Sequence, residues 1–321
     1  MLISSCSSGV AFFLEKSESF PYEQIITDVK IEELGFNKNQ FCSNSEGVCI
    51  SYFFAPPITS KKLGYSIEVD SGNRTNHVEL AVQRGSLANT YSGTIVLLHG
   101  FRVSKEFMIN SALYFRFLGY EVVVPDLLGH GESGGTKKYG VGDSGVVSNL
   151  IDDLISKQTI SGEKLYLLGS SMGALTAARV SSNRDDIRGL ILQAPMPPFD
   201  TAVYNYSKAN YPLLGNLISE EQFRKGALLA LENANIQLKD TRIEPLLVAS
   251  DTPVLLFSSP ADLVSPYDNF KALNDHTIKV IALADRNHAS MAVIGETEHQ
   301  VLQTWLMAQD NAPEQNQHPR P

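Results

Sequence analysis

The chain has 321 residues, 43% of them hydrophobic and 19% charged, with a formal net charge of -9. Such a chain can bury one large core and still carry an inserted subdomain, so a globular enzyme is the default class. The acidic balance, with no long Lys/Arg cluster, excludes the electrostatic footprint of a nucleic-acid-binding protein, and no apolar run approaches the ~20 residues of a transmembrane helix.

The three cysteines, Cys6, Cys42 and Cys49, all fall in the first fifty residues. No histidine accompanies them at metal-ligand spacing, so no metal site is expected. Cys42 and Cys49 flank the polar stretch Ser43-Asn44-Ser45-Glu46-Gly47, which suits either a small disulfide-closed turn or two reduced thiols. Ile3-Ser4-Ser5-Cys6 resembles the lipobox of bacterial lipoproteins, where small residues precede a cysteine that is cleaved at and lipidated. Only Met1 and Leu2 come before it, whereas a signal carries a charged start and an apolar stretch of ~7–15 residues. Either the match is chance or the start lies inside a longer signal peptide. The second reading makes residues 1–62 an N-terminal extension with membrane association through a lipidated Cys6. It also places the protein in the bacterial cell envelope, the alternative being the cytoplasm.

Val48 to Phe54 reads as an early strand closed by Pro56-Pro57, and Leu63–Val69 and His77–Gln83 as strands of an antiparallel opening, joined by a turn at Asp70-Ser71-Gly72-Asn73. From Gly93 the pattern changes. Thr94-Ile95-Val96-Leu97-Leu98 is a continuous apolar run, as in a strand buried on both faces of a parallel sheet. A helix is expected from about 105 to 118, a strand over 120–124, a glycine-rich loop over 125–145, a helix from 146 to about 157, and further strands at 189–193, 253–257 and 277–283. This βαβα rhythm predicts an α/β fold with a doubly wound, mostly parallel sheet whose ligand chemistry sits at the carboxyl ends of the strands. Between about 196 and 250 the rhythm breaks into an aromatic and proline-rich stretch followed by a helix-like segment, expected as a helical cap inserted over the site. A closing helix is expected from about 290 to 306, completing a main domain over 63–309, and the polar, proline-rich residues 310–321 are expected to be a disordered tail.

The chemistry centres on Lys164 to Ala178, where an apolar strand run meets Gly169-Ser170-Ser171-Met172-Gly173 and turns at once into an Ala-rich helical segment. That is the outline of a nucleophile elbow, with Ser171 as nucleophile. Gly131-Glu132-Ser133-Gly134-Gly135 matches the same Gly-x-Ser-x-Gly pattern, and Gly142-Asp143-Ser144-Gly145 looks like a serine-protease motif, but neither lies between a strand and a helix. A serine hydroxyl needs a positioned base, and the base a carboxylate. Strand-end placement selects Asp262, past the 253–257 strand, over its rival Asp200, and His288, past the 277–283 strand. His276 precedes its strand, His299 lies on the final helix, and His77 and His130 come before the nucleophile. The oxyanion of a tetrahedral intermediate needs two backbone N–H groups, expected from Met172 and from Phe101, which follows His99-Gly100. His99 is read as a packing residue, Asp126 and His130 as braces of the neighbouring loop.

With these residues in place, the chain resembles the α/β-hydrolases of the monoacylglycerol-lipase and serine-aminopeptidase-like branch. The match lies in Leu-Leu-His-Gly-Phe (97–101), Pro-Asp-Leu-Leu-Gly-His-Gly-Glu-Ser (125–133), Gly-Ser-Ser-Met-Gly (169–173), Asp262 and His288. The resemblance covers roughly 93–306 and implies hydrolysis of an ester, thioester or amide through an acyl-serine, with no metal or organic cofactor. The leading expectation is a serine hydrolase of carboxylic esters acting on a small or lipid-like acyl substrate. A peptidase or amidase, an acyltransferase on the same triad, and a non-catalytic binding module of the same fold are the alternatives.

Overall fold

The structure is a computed structural model describing residues 2–311 except 22, 23, 25, 44, 46, 72 and 73. One eight-stranded sheet organises it. Strands β1 (Asn37–Ser43), β2 (Val48–Ala55), β5 (Thr94–Leu98), β6 (Glu121–Pro125), β7 (Leu165–Ser170), β8 (Ile187–Gln193), β9 (Val254–Ser258) and β10 (Ile278–Ala282) lie in the order β1-β2-β6-β5-β7-β8-β9-β10. The pairs β1–β2 and β2–β6 are antiparallel and the rest parallel. Strands β3 (Lys62–Ser71) and β4 (Arg74–Gln83) form a separate antiparallel hairpin, so the expected turn falls partly outside the described residues.

The apolar runs at 94–98 and 165–168 are buried throughout because both faces of the sheet are covered. Successive side chains point to opposite faces. Val96, Leu98, Leu165 and Leu167 enter one core with helices α4 (Asp143–Ser156) and α5 (Met172–Ser182). Ile95, Leu97, Tyr166 and Leu168 enter the other with α3 (Ile109–Leu118) and α10 (Glu296–Asn311).

Residues 2–62, expected as an extension, supply two strands to the main sheet. They also supply α1 (Leu2–Lys16), whose main packing partner is α8 (Glu220–Asn233), and α2 (Asp28–Glu33). Cys6 lies exposed on α1 as a free thiol, while Cys42 and Cys49, opposite each other in the β1–β2 register, are joined in a disulfide. The expected cap consists of α6 (Phe199–Asn210), α7 (Pro212–Leu217), α8 and α9 (Glu244–Val248). Ser219 caps α8 by accepting the Gln222 N–H.

The last helix begins at Glu296, later than expected, and continues through Asp310 because that carboxylate is held by Lys164 Nζ at 3.3 Å and the Tyr166 hydroxyl at 3.4 Å. Residues 312–321 lie outside the described residues. Among the described residues no helix is long and apolar enough to cross a membrane.

Candidate active site

Ser171 stands between the end of β7 and the start of α5 with φ +52° and ψ -113°, a conformation side chains rarely adopt. Its backbone is pinned on both sides: its N–H donates to Gln193 C=O at 2.9 Å, and its own carbonyl accepts from Met196 at 3.2 Å. The flanking glycines answer to space. A Cβ on Gly169 would run into the Gly173 backbone, and one on Gly173 into the Leu98 carbonyl, so strand, turn and helix can meet only with hydrogen at both positions.

Loops at the strand ends bring the other groups in. The Ser171 hydroxyl lies 2.9 Å from His288 Nε2, and His288 Nδ1 lies 2.8 Å from Asp262 Oδ2. Asp262 is fully buried, and its other oxygen accepts the N–H groups of Val264 (2.8 Å) and Ser265 (2.9 Å). A buried carboxylate so held selects the imidazole tautomer with the proton on Nδ1, leaving Nε2 free to accept from the serine. The rival Asp200 is instead paired with Arg224 at 2.7 Å in the cap. His276 lines an unrelated surface cleft, His299 bonds Tyr114 (2.9 Å), and His77 bonds Glu79 on the β3–β4 hairpin.

The loop after β5 approaches from the other side. Gly100 sits close enough that a Cβ there would lie 3.3 Å from Ser171 Cβ. Phe101 follows it, and Met172 opens α5, whose first N–H groups have no intrahelical acceptors. Ser171 thus stands at the N-terminus of α5, where developing negative charge is favoured, with the two residues expected as oxyanion donors next to it and to Gly100 in the chain. His99 is wholly buried and burial lowers its pKa. Its Nε2 accepts the Leu127 N–H (2.9 Å) and its Nδ1–H donates to Gly100 C=O (2.7 Å), so it holds this loop as a neutral ring.

Above Ser171 lies a cavity of about 620 Å³, within the range of small-molecule sites and lined chiefly by apolar side chains such as Met196, Phe199, Val203 and Phe223.

Known proteins resemble this chain in fold and in part of its sequence. Residues 89–239 match the family model described as Serine aminopeptidase, S33. An esterase of Pyrococcus furiosus has a similar fold, with 16% identity over 87% of this chain and 92% of that one and a TM-score of 0.61. A membrane phospholipase A described as a bacterial virulence factor matches at 19% identity over 97% of each chain, with a TM-score of 0.55. A putative lipase of Acinetobacter baumannii matches at 13% identity over 92% of this chain and 99% of that one, with a TM-score of 0.56. The chain has the α/β-hydrolase fold. At these identities the structural likeness is one of fold, and a search of curated sequences found no match. The segment matched by the family model ends before Asp262 and His288, so those two rest on the geometry of the structure itself.

That geometry also explains the 125–133 motif. Asp126 is fully buried and accepts the backbone N–H of Lys105 (2.7 Å), the Lys105 ammonium (2.7 Å) and the Glu132 N–H (2.9 Å). Gly131 has φ +51°, and a Cβ there would strike the Asp126 carboxylate. Lys105 also pairs with Glu132 (2.8 Å) and Glu106 (3.1 Å), so a wholly buried cation fastens the loop after Phe101 to the motif. His130 is buried as well, and burial pushes its pKa down to about 3, which keeps it a neutral packing residue beside Phe101.

Three features of this chain escaped the sequence reading. Lys105 appeared only as part of a predicted helix. The β3–β4 hairpin braces the His288 loop: Asn76 Oδ1 accepts the Asn287 N–H (2.6 Å) and the Ser290 hydroxyl (3.0 Å), and the Asn287 amide donates to Val69 C=O (3.1 Å). Helix α1 lines the cavity through Cys6, Gly9, Val10, Phe13 and Leu14, whose i, i+3, i+4, i+7 and i+8 spacing was the available signal.

Proposed function

We propose that this protein hydrolyses carboxylic esters of apolar acyl groups through an acyl-Ser171 intermediate. The observation carrying this reading is the unbroken hydrogen-bond chain from Asp262 through His288 to Ser171 at the floor of an apolar cavity. As Ser171 Oγ attacks the ester carbonyl carbon, its proton passes to His288 Nε2, and Asp262 stabilises the imidazolium. The carbonyl oxygen takes the negative charge and is met by the N–H groups of Phe101 and Met172. Collapse of the tetrahedral intermediate breaks the ester C–O bond, and the leaving alcohol takes the proton from His288. Water then attacks the acyl carbon with His288 again as base, releasing the acid and restoring the serine.

The description of the matched family favours a second reading, an aminopeptidase. Recognition of a substrate ammonium would need carboxylate in the cavity, and among the described residues the acidic side chain lining it is Asp70, whose carboxylate already accepts from Thr75. The apolar lining therefore supports acyl esters. The disulfide supports an oxidising compartment, consistent with the envelope location.

A panel of p-nitrophenyl esters of increasing chain length set against aminoacyl arylamides tests the reading. Turnover of the esters with a preference beyond acetate is expected; turnover of arylamides alone would replace it with the peptidase.

A further inference from the structure

Arg102 follows the candidate oxyanion donor Phe101, and the contacts of its side chain reach away from the sheet. Its φ is +60°, an unusual conformation for an arginine. Its carbonyl accepts the Phe20 N–H at 2.8 Å. The guanidinium lies over the ring of Phe13 on α1, 5.0 Å from its centroid, and over Phe20 at 4.7 Å. It also donates to Glu18 C=O (3.4 Å) and to the hydroxyl of Tyr211 (3.1 Å), where α6 of the cap ends.

The same N-terminal segment is fastened elsewhere to the loops around the site. The Ser19 hydroxyl donates to Val103 C=O (3.4 Å) and accepts the Gly131 N–H (3.1 Å). Lys137 holds the carbonyls of Glu15 (3.2 Å) and Ser17 at the C-terminal end of α1, where a cation is favoured. Helix α1 lies close against α8, since a Cβ on Gly226 would collide with Val10. One side chain thus touches helix α1, the segment after it and the cap, and its backbone is continuous with Phe101.

Resting on the esterase reading above, we infer that Arg102 is a positioning residue that holds the Phe101 N–H in line with the developing oxyanion when α1 and the cap are seated over the cavity. Closure of the cavity and stabilisation of the transition state are then one event. An acyl chain that disturbs α1 loosens the donor, and one that fits beneath α1 keeps it in place. A fastening role alone would leave turnover by each correctly folded molecule unchanged.

The test is steady-state kinetics on a p-nitrophenyl ester for the parent and for Arg102→Ala, Arg102→Gly and Arg102→Lys, each normalised by active-site titration with a fluorophosphonate. Deleting one oxyanion donor costs about 10²–10³ in kcat, so displacing one should cost about tenfold, with KM changed by less than about threefold. Arg102→Gly relieves the positive φ but loses the guanidinium, and should be as impaired as Arg102→Ala. Arg102→Lys keeps the cation over the rings without the planar fork and should recover part of the loss. An Arg102→Ala enzyme with parental kcat per titrated site, an effect on KM alone, or an active Arg102→Gly would overturn the inference and leave the esterase reading intact. A parent that turned over no ester would overturn both.

Discussion

His288 Nε2 lies 2.9 Å from the hydroxyl of Ser171, although 117 residues separate them in the chain. The imidazole is held there from behind by Asp262, a fully buried carboxylate whose second oxygen is already occupied by two backbone N–H groups. Asp262→Asn would keep the shape and present an amide that can stabilise the wrong imidazole tautomer. A fall in kcat of about 10⁴ is expected, with little change in thermal midpoint. An unaltered kcat in stopped-assay kinetics would remove Asp262 from the mechanism.

The strained turn at Ser171 yields a stability prediction that runs opposite to activity. With φ at +52°, Ser171→Gly relieves conformational strain that Ser171→Ala retains. Both variants should be inactive, and urea unfolding should find the glycine variant more stable than the alanine variant by about 1 kcal/mol. Equal stabilities would mean that the turn stores no strain.

Asn76 stands on a different sheet from the candidate catalytic groups, yet its side-chain oxygen holds the backbone of Asn287 and the hydroxyl of Ser290, on either side of His288. Asn76→Ala leaves both donors without that partner, at an expected stability cost of about 1–3 kcal/mol. The His288 loop should loosen with it. Amide hydrogen exchange should show faster exchange confined to residues near 285–290 and the hairpin, together with lower kcat; protection equal to the parent there would contradict the brace.

The buried cation at Lys105 sets an acid limit on the fold. Burial alone would raise the Glu132 pKa, but hydrogen bonds from Lys105 and Lys38 prevail and bring it to about 2, below its ordinary 4.5. A carboxylate depressed in the folded state contributes stability that is complete above about 4.5 and lost as pH falls through about 2. Glu132→Gln should therefore flatten the acid limb of a plot of thermal midpoint against pH in that window and leave its neutral region the same shape. Lys105→Met strands Asp126 and Glu132 without their shared cation, and should cost about 3–5 kcal/mol at neutral pH in urea unfolding.

Groups whose placement follows from strand order were legible in the sequence, and groups placed by distant packing were not. The runs at 94–98 and 165–168 announce strands covered on both faces. Once those are placed, the loops carrying Phe101, Ser171, Asp262 and His288 all fall at one end of the sheet. Strand β1 was missed because it is an edge strand of polar, largely exposed residues, Asn37-Lys38-Asn39-Gln40, with no alternation to read. Helix α1 was read for a short motif at Cys6, although its apolar spacing continues to Leu14 and its partner Gly226 lies some two hundred residues on. Lys105 was read only as the start of a helix, because the carboxylates that justify burying it, from residues 106, 126 and 132, converge on it only in the folded chain.

The account stands or falls on which atom takes the acyl group. Reaction with a fluorophosphonate, followed by intact mass and peptide mapping, measures this directly. One adduct per chain on the peptide containing Ser171, absent in Ser171→Ala and strongly slowed in His288→Ala, is the predicted result. No adduct, an adduct on another serine, or labelling that survives Ser171→Ala would contradict it.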